Sequence, residues 1–222
     1  MNRSPRLAQC LSFLGAALVL GAVLAVLFSG SFKSEQVLFS NDGPLGVAHS
    51  EALKLPDAFR GFWMDLYWLG GNGAHSPASI TYLFLWCLGP VGYAKFYAAL
   101  ACLVLGLSAW IFFRTLGLNG GLAVVAALGA SLNSNFFSNT CWGLGTRSLA
   151  LACVFLALAA LSARRVGHPW LNAVLAGLAT GMGVVEGADN GVIFSLFIAA
   201  FVLWQACVER QPARLLACWP AL

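Results

Sequence analysis

Apolar residues gather along this 222-residue chain into long runs separated by short polar breaks. The first run covers about residues 8–29 and ends at a polar and aromatic region, 30–78. The segment 79-SITYLFLWCL-88 is apolar but too short to cross a bilayer, and Gly89-Pro90 stops it. Further apolar runs lie at 91–116, 122–137, 148–163, 170–185 and 192–208. A span needs about 20 apolar residues at roughly 1.5 Å rise each. The pattern predicts an all-α fold, a polytopic transmembrane helical bundle of about six spans. In it 79–88 is an interfacial or re-entrant helix, 1–222 is a single membrane domain and 30–78 is the first outer loop.

Composition agrees. The chain is 60% hydrophobic and 9% charged, with a mean hydropathy of +0.82. A soluble domain is about 25% charged, so this one lacks the polar residues to cover a water-facing surface. The net charge of +4 does not point to nucleic acid, because the basic residues are scattered through apolar sequence and form no stripe. None of the seven cysteines forms a C-x-x-C pair, and most lie within apolar runs. They read as small buried hydrophobes, with neither a zinc site nor a disulfide framework indicated. Arg3 and Arg6 precede the first run, which exceeds the roughly 7–15 residues of a signal core and has no clean A-x-A site after it. The first run therefore reads as a retained span.

Basic residues set the orientation. With a cytoplasmic N-terminus, Arg3, Arg6, Arg114, Arg164, Arg165, Arg210 and Arg214 fall inside, and Lys33, Lys54, Arg60, Lys95 and Arg147 fall outside or near the outer face. The acids are more lopsided. Glu35, Asp42, Glu51, Asp57, Asp65, Glu186 and Asp189 lie outside, and only Glu209 lies inside. Acids contribute little to topology, so their bias marks the outer face as the seat of polar chemistry.

The third run has about 16 residues, a helical rise of roughly 24 Å against a hydrocarbon core of about 30 Å. It continues as the Ser- and Asn-rich 131-SLNSNFFSNTCWG-143, and the equally short fifth run leads into 186-EGADNG-191. Polar, irregular backbone at that depth is tolerated where it is buried in protein or lines a wet cavity. The first outer loop adds Asp42, His49, Glu51, Asp57, Arg60 and Asp65, with aromatics in 59-FRGFWMDLYWLGG-71. Together these predict a water-filled cleft open to the outside, roofed by that loop.

Each candidate has two readings. Asp42 sits in an Asn-Asp-Gly-Pro turn and is a turn-former or a general base. Trp63, Tyr67 and Trp68 form an interfacial belt or a stacking platform for a sugar. Glu186 and Asp189 belong to a short loop or to a site, since acids at membrane depth are costly and often functional. Lys95 snorkels outward or faces the cleft. Arg60, Lys95 and Arg147 are placed to contact a phosphate through charge-assisted hydrogen bonds. The spacing of Gly177 and Gly181 with Gly183, Gly187 and Gly191 predicts close helix packing around the fifth span.

The first span, the loop bearing Asp42, and then 61-GFWMDLYWLGGNGAHSPASITYLFLWCLGP-90 and 109-AWIFFRTLGLNGG-121 resemble the YfhO-type bacterial membrane proteins. More distantly the chain is similar to the GT-C class of glycosyltransferases that use polyprenyl-linked sugars. The likeness covers most of residues 1–208. It implies inverting transfer of a sugar from a polyprenyl-phosphate donor to a glycan, lipid or protein acceptor, on the outer face of a bacterial inner (plasma) membrane. An acidic residue of the first outer loop is the usual base in that class. Asp42 matches it by position, with Asp65 a second candidate, although no paired acidic motif is found. Members are usually longer, so the chain is expected to be the N-terminal part of a larger protein. No cofactor is called for, and a divalent metal stays open. An ion-coupled transporter using Lys95, Glu186 and Asp189, and a non-catalytic assembly protein, are the competing readings.

Overall fold

The computed structural model describes residues 5–60, 78–163 and 169–209. Among these residues all regular structure is helical: α1 (Pro5–Leu27), α2 (Leu45–Ala52), α3 (Ile80–Thr115), α4 (Gly120–Ser131), α5 (Ser134–Trp142), α6 (Gly145–Ser162), α7 (Pro169–Glu186) and α8 (Ala188–Glu209), with one 3₁₀ turn at Asp57–Phe59. The all-helical character is the expected one. The 30–78 region carries more structure than its polar composition foretold, since α2 and the 3₁₀ turn both lie in it.

Local chemistry explains the helix boundaries. The Ser79 side chain accepts from the Tyr82 amide at 3.2 Å and starts α3. Within α3 the helical geometry breaks at Gly89, with φ 66° and ψ 172°. Only glycine enters that region freely, and Pro90 behind it can neither donate to the helix nor leave its predecessor helical. The break falls where Gly89-Pro90 predicted it. Asn119 caps α4 by accepting from the Leu122 amide at 2.9 Å, and Asn133 opens α5 by accepting from the Asn135 amide at 3.1 Å. Between them the chain bends by 51°, which divides the third apolar run at its polar end. α5 stops at Gly143, φ 113°, the left-handed ending that glycine permits.

Helices α1, α3, α6 and α8 are long and apolar enough to cross a membrane, and the bent pair α4–α5 makes a fifth if it counts as one span. α7 is apolar but shorter. α3 is the central helix, with α1, α2, α4, α5 and α6 against it, while α7 and α8 pack on α6. The buried positions are largely alanine, among them Ala101, Ala109, Ala123, Ala127, Ala150, Ala152 and Ala157. Small side chains let helix backbones approach where lipid offers no hydrophobic drive between helices. Gly191 meets the backbone of Gly183 and Val184, and a Cβ on Gly183 would sit 3.2 Å from that of Cys153. The glycines at 183 and 191 are thus the packing positions the spacing predicted, whereas Gly181 faces open space.

Large apolar side chains lie on the outside: Leu14, Leu18 and Val26 of α1, Leu178 of α7, and Leu196, Phe197 and Trp204 of α8. A soluble monomer does not expose apolar faces of this extent. The protein is a membrane protein.

Candidate functional site

The helix order puts the chain's polar segments at one end of the bundle. There the residues after α1, the start of α3, the α5–α6 junction and the α7–α8 hairpin are joined by hydrogen bonds. Asp42 belongs to a turn docked on that junction. The Trp142 carbonyl accepts from the Asn41 amide (3.0 Å) and the Asp42 amide (3.1 Å), and from the Ser40 hydroxyl (3.2 Å). Ser40 Oγ in turn accepts from the Gly43 amide at 3.0 Å. The junction tolerates this approach because residue 143 is glycine. A Cβ there would lie 3.0 Å from the Gly43 nitrogen and 3.3 Å from that of Asp42. The backbone of Asp42 is fixed in this way while the residue itself is exposed.

One turn back along α5, the Asn139 carboxamide accepts from Arg147 Nη1 at 3.1 Å. Arg147 Nη2 lies 3.9 Å from Asp189 Oδ2, with the two side chains 36% and 71% exposed. So open an ion pair contributes little to stability, and it leaves the guanidinium free to face an anion. Buried hydrogen bonding holds the junction rigid. Thr140 and Ser148 share a hydrogen bond of 2.5 Å, and Thr140 donates to the Phe136 carbonyl at 2.8 Å.

Glu186 behaves differently. It is buried, 6% exposed, and caps a helix more than a hundred residues away in sequence. Oε1 accepts from the amides of Ile80 and Thr81, the latter at 3.2 Å, and Oε2 accepts from the Thr81 hydroxyl at 2.7 Å. Because Thr81 Oγ1 donates to Glu186, the Tyr97 hydroxyl 2.7 Å away donates to Thr81. A carboxylate on the first amides of a helix meets orphan donors and the positive end of the helix dipole. That satisfies a charge which would otherwise be costly to bury. Tyr97 stacks on Tyr93 at 4.3 Å between ring centroids and presses on Gly145, where a Cβ would fall 2.5 Å from its ring. Thr81 and Tyr97 escaped the sequence reading. The only signal was Ser79 ahead of an apolar run, which marks a helix start but not its distant acceptor.

Comparison with family models, with curated proteins and with solved structures returns no match. Function has to be read from these residues.

The structure brings Asp42, Arg147 and Asp189 to the α5–α6 junction, while Glu186 is held at the start of α3. Lys95, half-buried on α3, donates to the carbonyls of Lys33 (2.5 Å) and Ser34 (2.9 Å), so it fastens the segment after α1. The Ser31 hydroxyl completes that fastening through the Lys95 carbonyl at 3.1 Å. Arg60 closes the 3₁₀ turn and is exposed. Glu51 pairs with Lys54 at 2.7 Å and accepts from the Tyr82 hydroxyl at 3.4 Å, tying α2 to α3. Asp65, Trp63 and Trp68 lie outside the described residues. Among the described residues no three His, Cys, Asp or Glu side chains converge as a metal site would require.

Proposed function

We propose that this chain acts as a multi-pass glycosyltransferase of the bacterial inner membrane. In this reading its N-terminus is cytoplasmic, six spans cross with α7 among them, and the polar end faces outward. The observation that carries the reading is the exposed Asp42 side chain on a turn pinned by three donors to the Trp142 carbonyl, at the junction where Arg147 opens α6. A base must be accessible to substrate and rigidly based, and this one has both properties.

The Asp42 carboxylate takes the proton of an acceptor hydroxyl. The acceptor oxygen then attacks the anomeric carbon, the bond from that carbon to the polyprenyl-phosphate oxygen breaks, and configuration inverts. The phosphate leaves with the electron pair and a negative charge that Arg147, and Arg60 beside the loop, stabilise through charge-assisted hydrogen bonds. Trp63 and Trp68 supply faces on which a sugar stacks, and Asp65 is the second candidate base. The carbonyl bonds of Lys95 favour a positioning role for it over phosphate contact. An ion-coupled transporter would need Glu186 as a free ion ligand, and its three hydrogen bonds weigh against that.

The test compares parent and Asp42→Asn in proteoliposomes carrying a radiolabelled polyprenyl-phosphate sugar and a hydroxyl acceptor. General-base loss costs about 10²–10⁴-fold in rate, with insertion and thermal midpoint unchanged. An unchanged rate removes Asp42 as the base. No transfer by the parent moves the assignment to transport or scaffolding.

A further inference from the structure

At the end of the bundle opposite Asp42, α1 and α3 leave a groove of about 670 Å³ between them, lined by Phe13, Trp110, Ile111, Arg114, Gln9 and Ser12 among others. Its volume is that of a pocket holding a ligand-sized molecule. Two features separate it from an ordinary gap between helices in lipid. Trp110 is 7% exposed, yet its indole N–H has no hydrogen-bond partner among the described residues, a donor left without an acceptor that burial makes costly. Arg114, one turn further along α3, lies over the Trp110 ring at 5.9 Å. Its Nη1 donates to the Leu118 carbonyl at 2.5 Å, which fixes the guanidinium at the mouth while leaving its other N–H groups to take an anion. Phe13 meets Trp110 edge-on at 5.6 Å and, with Ile111, gives the groove an apolar wall.

We propose that this groove holds one anionic phospholipid of the bilayer, its phosphate on Arg114 and one acyl chain along Phe13, Trp110 and Ile111. Charge complementarity selects the occupant. The wall is apolar and the mouth carries a cation, Arg114. Arg3 precedes α1 and Arg6 lies in its first turn in sequence, so the same end of the chain is rich in basic residues of the kind anionic lipid surfaces attract. This site stands apart from the transferase reading and survives its failure.

The full chain is reconstituted in vesicles of equal palmitoyl-oleoyl phosphatidylglycerol and phosphatidylcholine, extracted in a neutral detergent and examined by native mass spectrometry. One phosphatidylglycerol is retained per chain, in about tenfold preference over phosphatidylcholine, because both offer the same phosphate but only phosphatidylcholine brings an ammonium that Arg114 repels. Arg114→Gln brings the ratio near one and Arg114→Lys keeps it. Leu14→Trp, at an exposed lining position, fills the groove and lowers retention of both lipids without shifting the thermal midpoint. Millimolar glycerol phosphate leaves the lipid bound, because the acyl chain holds it. Equal retention of the two lipids by the parent, indifference to Arg114→Gln in a folded variant, release by glycerol phosphate, or no retained lipid because the chain's own segments cover the groove would each overturn the proposal.

Discussion

Replacing Glu186 separates a structural carboxylate from a reactive one. Glu186→Ala removes the acceptor of the Ile80 and Thr81 amides and of the Thr81 hydroxyl, at the buried start of the central helix. Each orphaned buried amide costs about 1–3 kcal/mol. The hydroxyl adds less, since interhelical hydrogen bonds in bilayers average about 0.6 kcal/mol. Water entering the vacated space recovers part of the loss, so the expected destabilisation is about 2–4 kcal/mol. Glu186→Gln keeps the shape. Its carbonyl oxygen still accepts from both amides, its NH₂ donates to Thr81 Oγ1, and Thr81 reverses to donate to the Tyr97 hydroxyl. Every partner stays satisfied and only the charge on the helix dipole is lost, at about 1 kcal/mol. Equilibrium unfolding in mixed micelles, followed by far-ultraviolet circular dichroism, reads both variants. Glu186→Gln as damaging as Glu186→Ala, or Glu186→Ala within about 0.5 kcal/mol of the parent, would refute the capping argument.

Gly143→Ala places a methyl group in a left-handed position against the amides of Gly43 and Asp42. It should cost about 1–2 kcal/mol and speed hydrogen exchange at Asn41 and Asp42, with slow exchange retained there as the refuting result. Gly191→Val drives a side chain into the Gly183–Val184 backbone and is expected to lower stability by about 3 kcal/mol, whereas Gly181→Ala, facing open space, should raise it by up to about 1 kcal/mol. The same unfolding assay ranks the pair, and equal effects would contradict the packing. A cysteine introduced as Asp57→Cys should react in intact cells with a membrane-impermeant maleimide while Leu116→Cys does not, and the reverse would invert the orientation.

Much of the bundle was legible because membrane spans announce themselves by length and apolarity. The break at Gly89 and the Gly183–Gly191 approach followed from local rules about glycine and proline, whereas the polar end of the third run, expected to be irregular, forms the helix α5. The partners of the polar residues did not. Glu186 read as an acid at membrane depth, and nothing near it in sequence names Ile80 and Thr81 as its donors. Lys95 read as a cation for phosphate or water, because the carbonyls it meets are backbone groups, which leave no trace in a sequence. Arg114 read only as a marker of orientation, although Trp110 one helical turn earlier was a local sign that the two side chains meet.

The polar residues at this end of the bundle therefore fall into two groups, separated by what their side chains already touch. Glu186, Lys95 and Thr140 are engaged by backbone or buried hydroxyl partners, and changing them alters the shape and stability of the end as a whole. Asp42, Arg60, Arg147 and Asp189 are exposed or loosely paired, yet the Asp42 turn and Arg147 are carried on the α5–α6 junction, which buried hydrogen bonds keep fixed. Conformational freedom for the side chain with none for its support is what a base and a phosphate contact require. A loss of activity on Glu186→Ala should thus track the fraction unfolded and recover at lower denaturing stress. Loss on Asp42→Asn should persist in fully folded protein. If the two losses followed folding alike, Asp42 would join Glu186 as a residue that builds this end of the molecule without acting there.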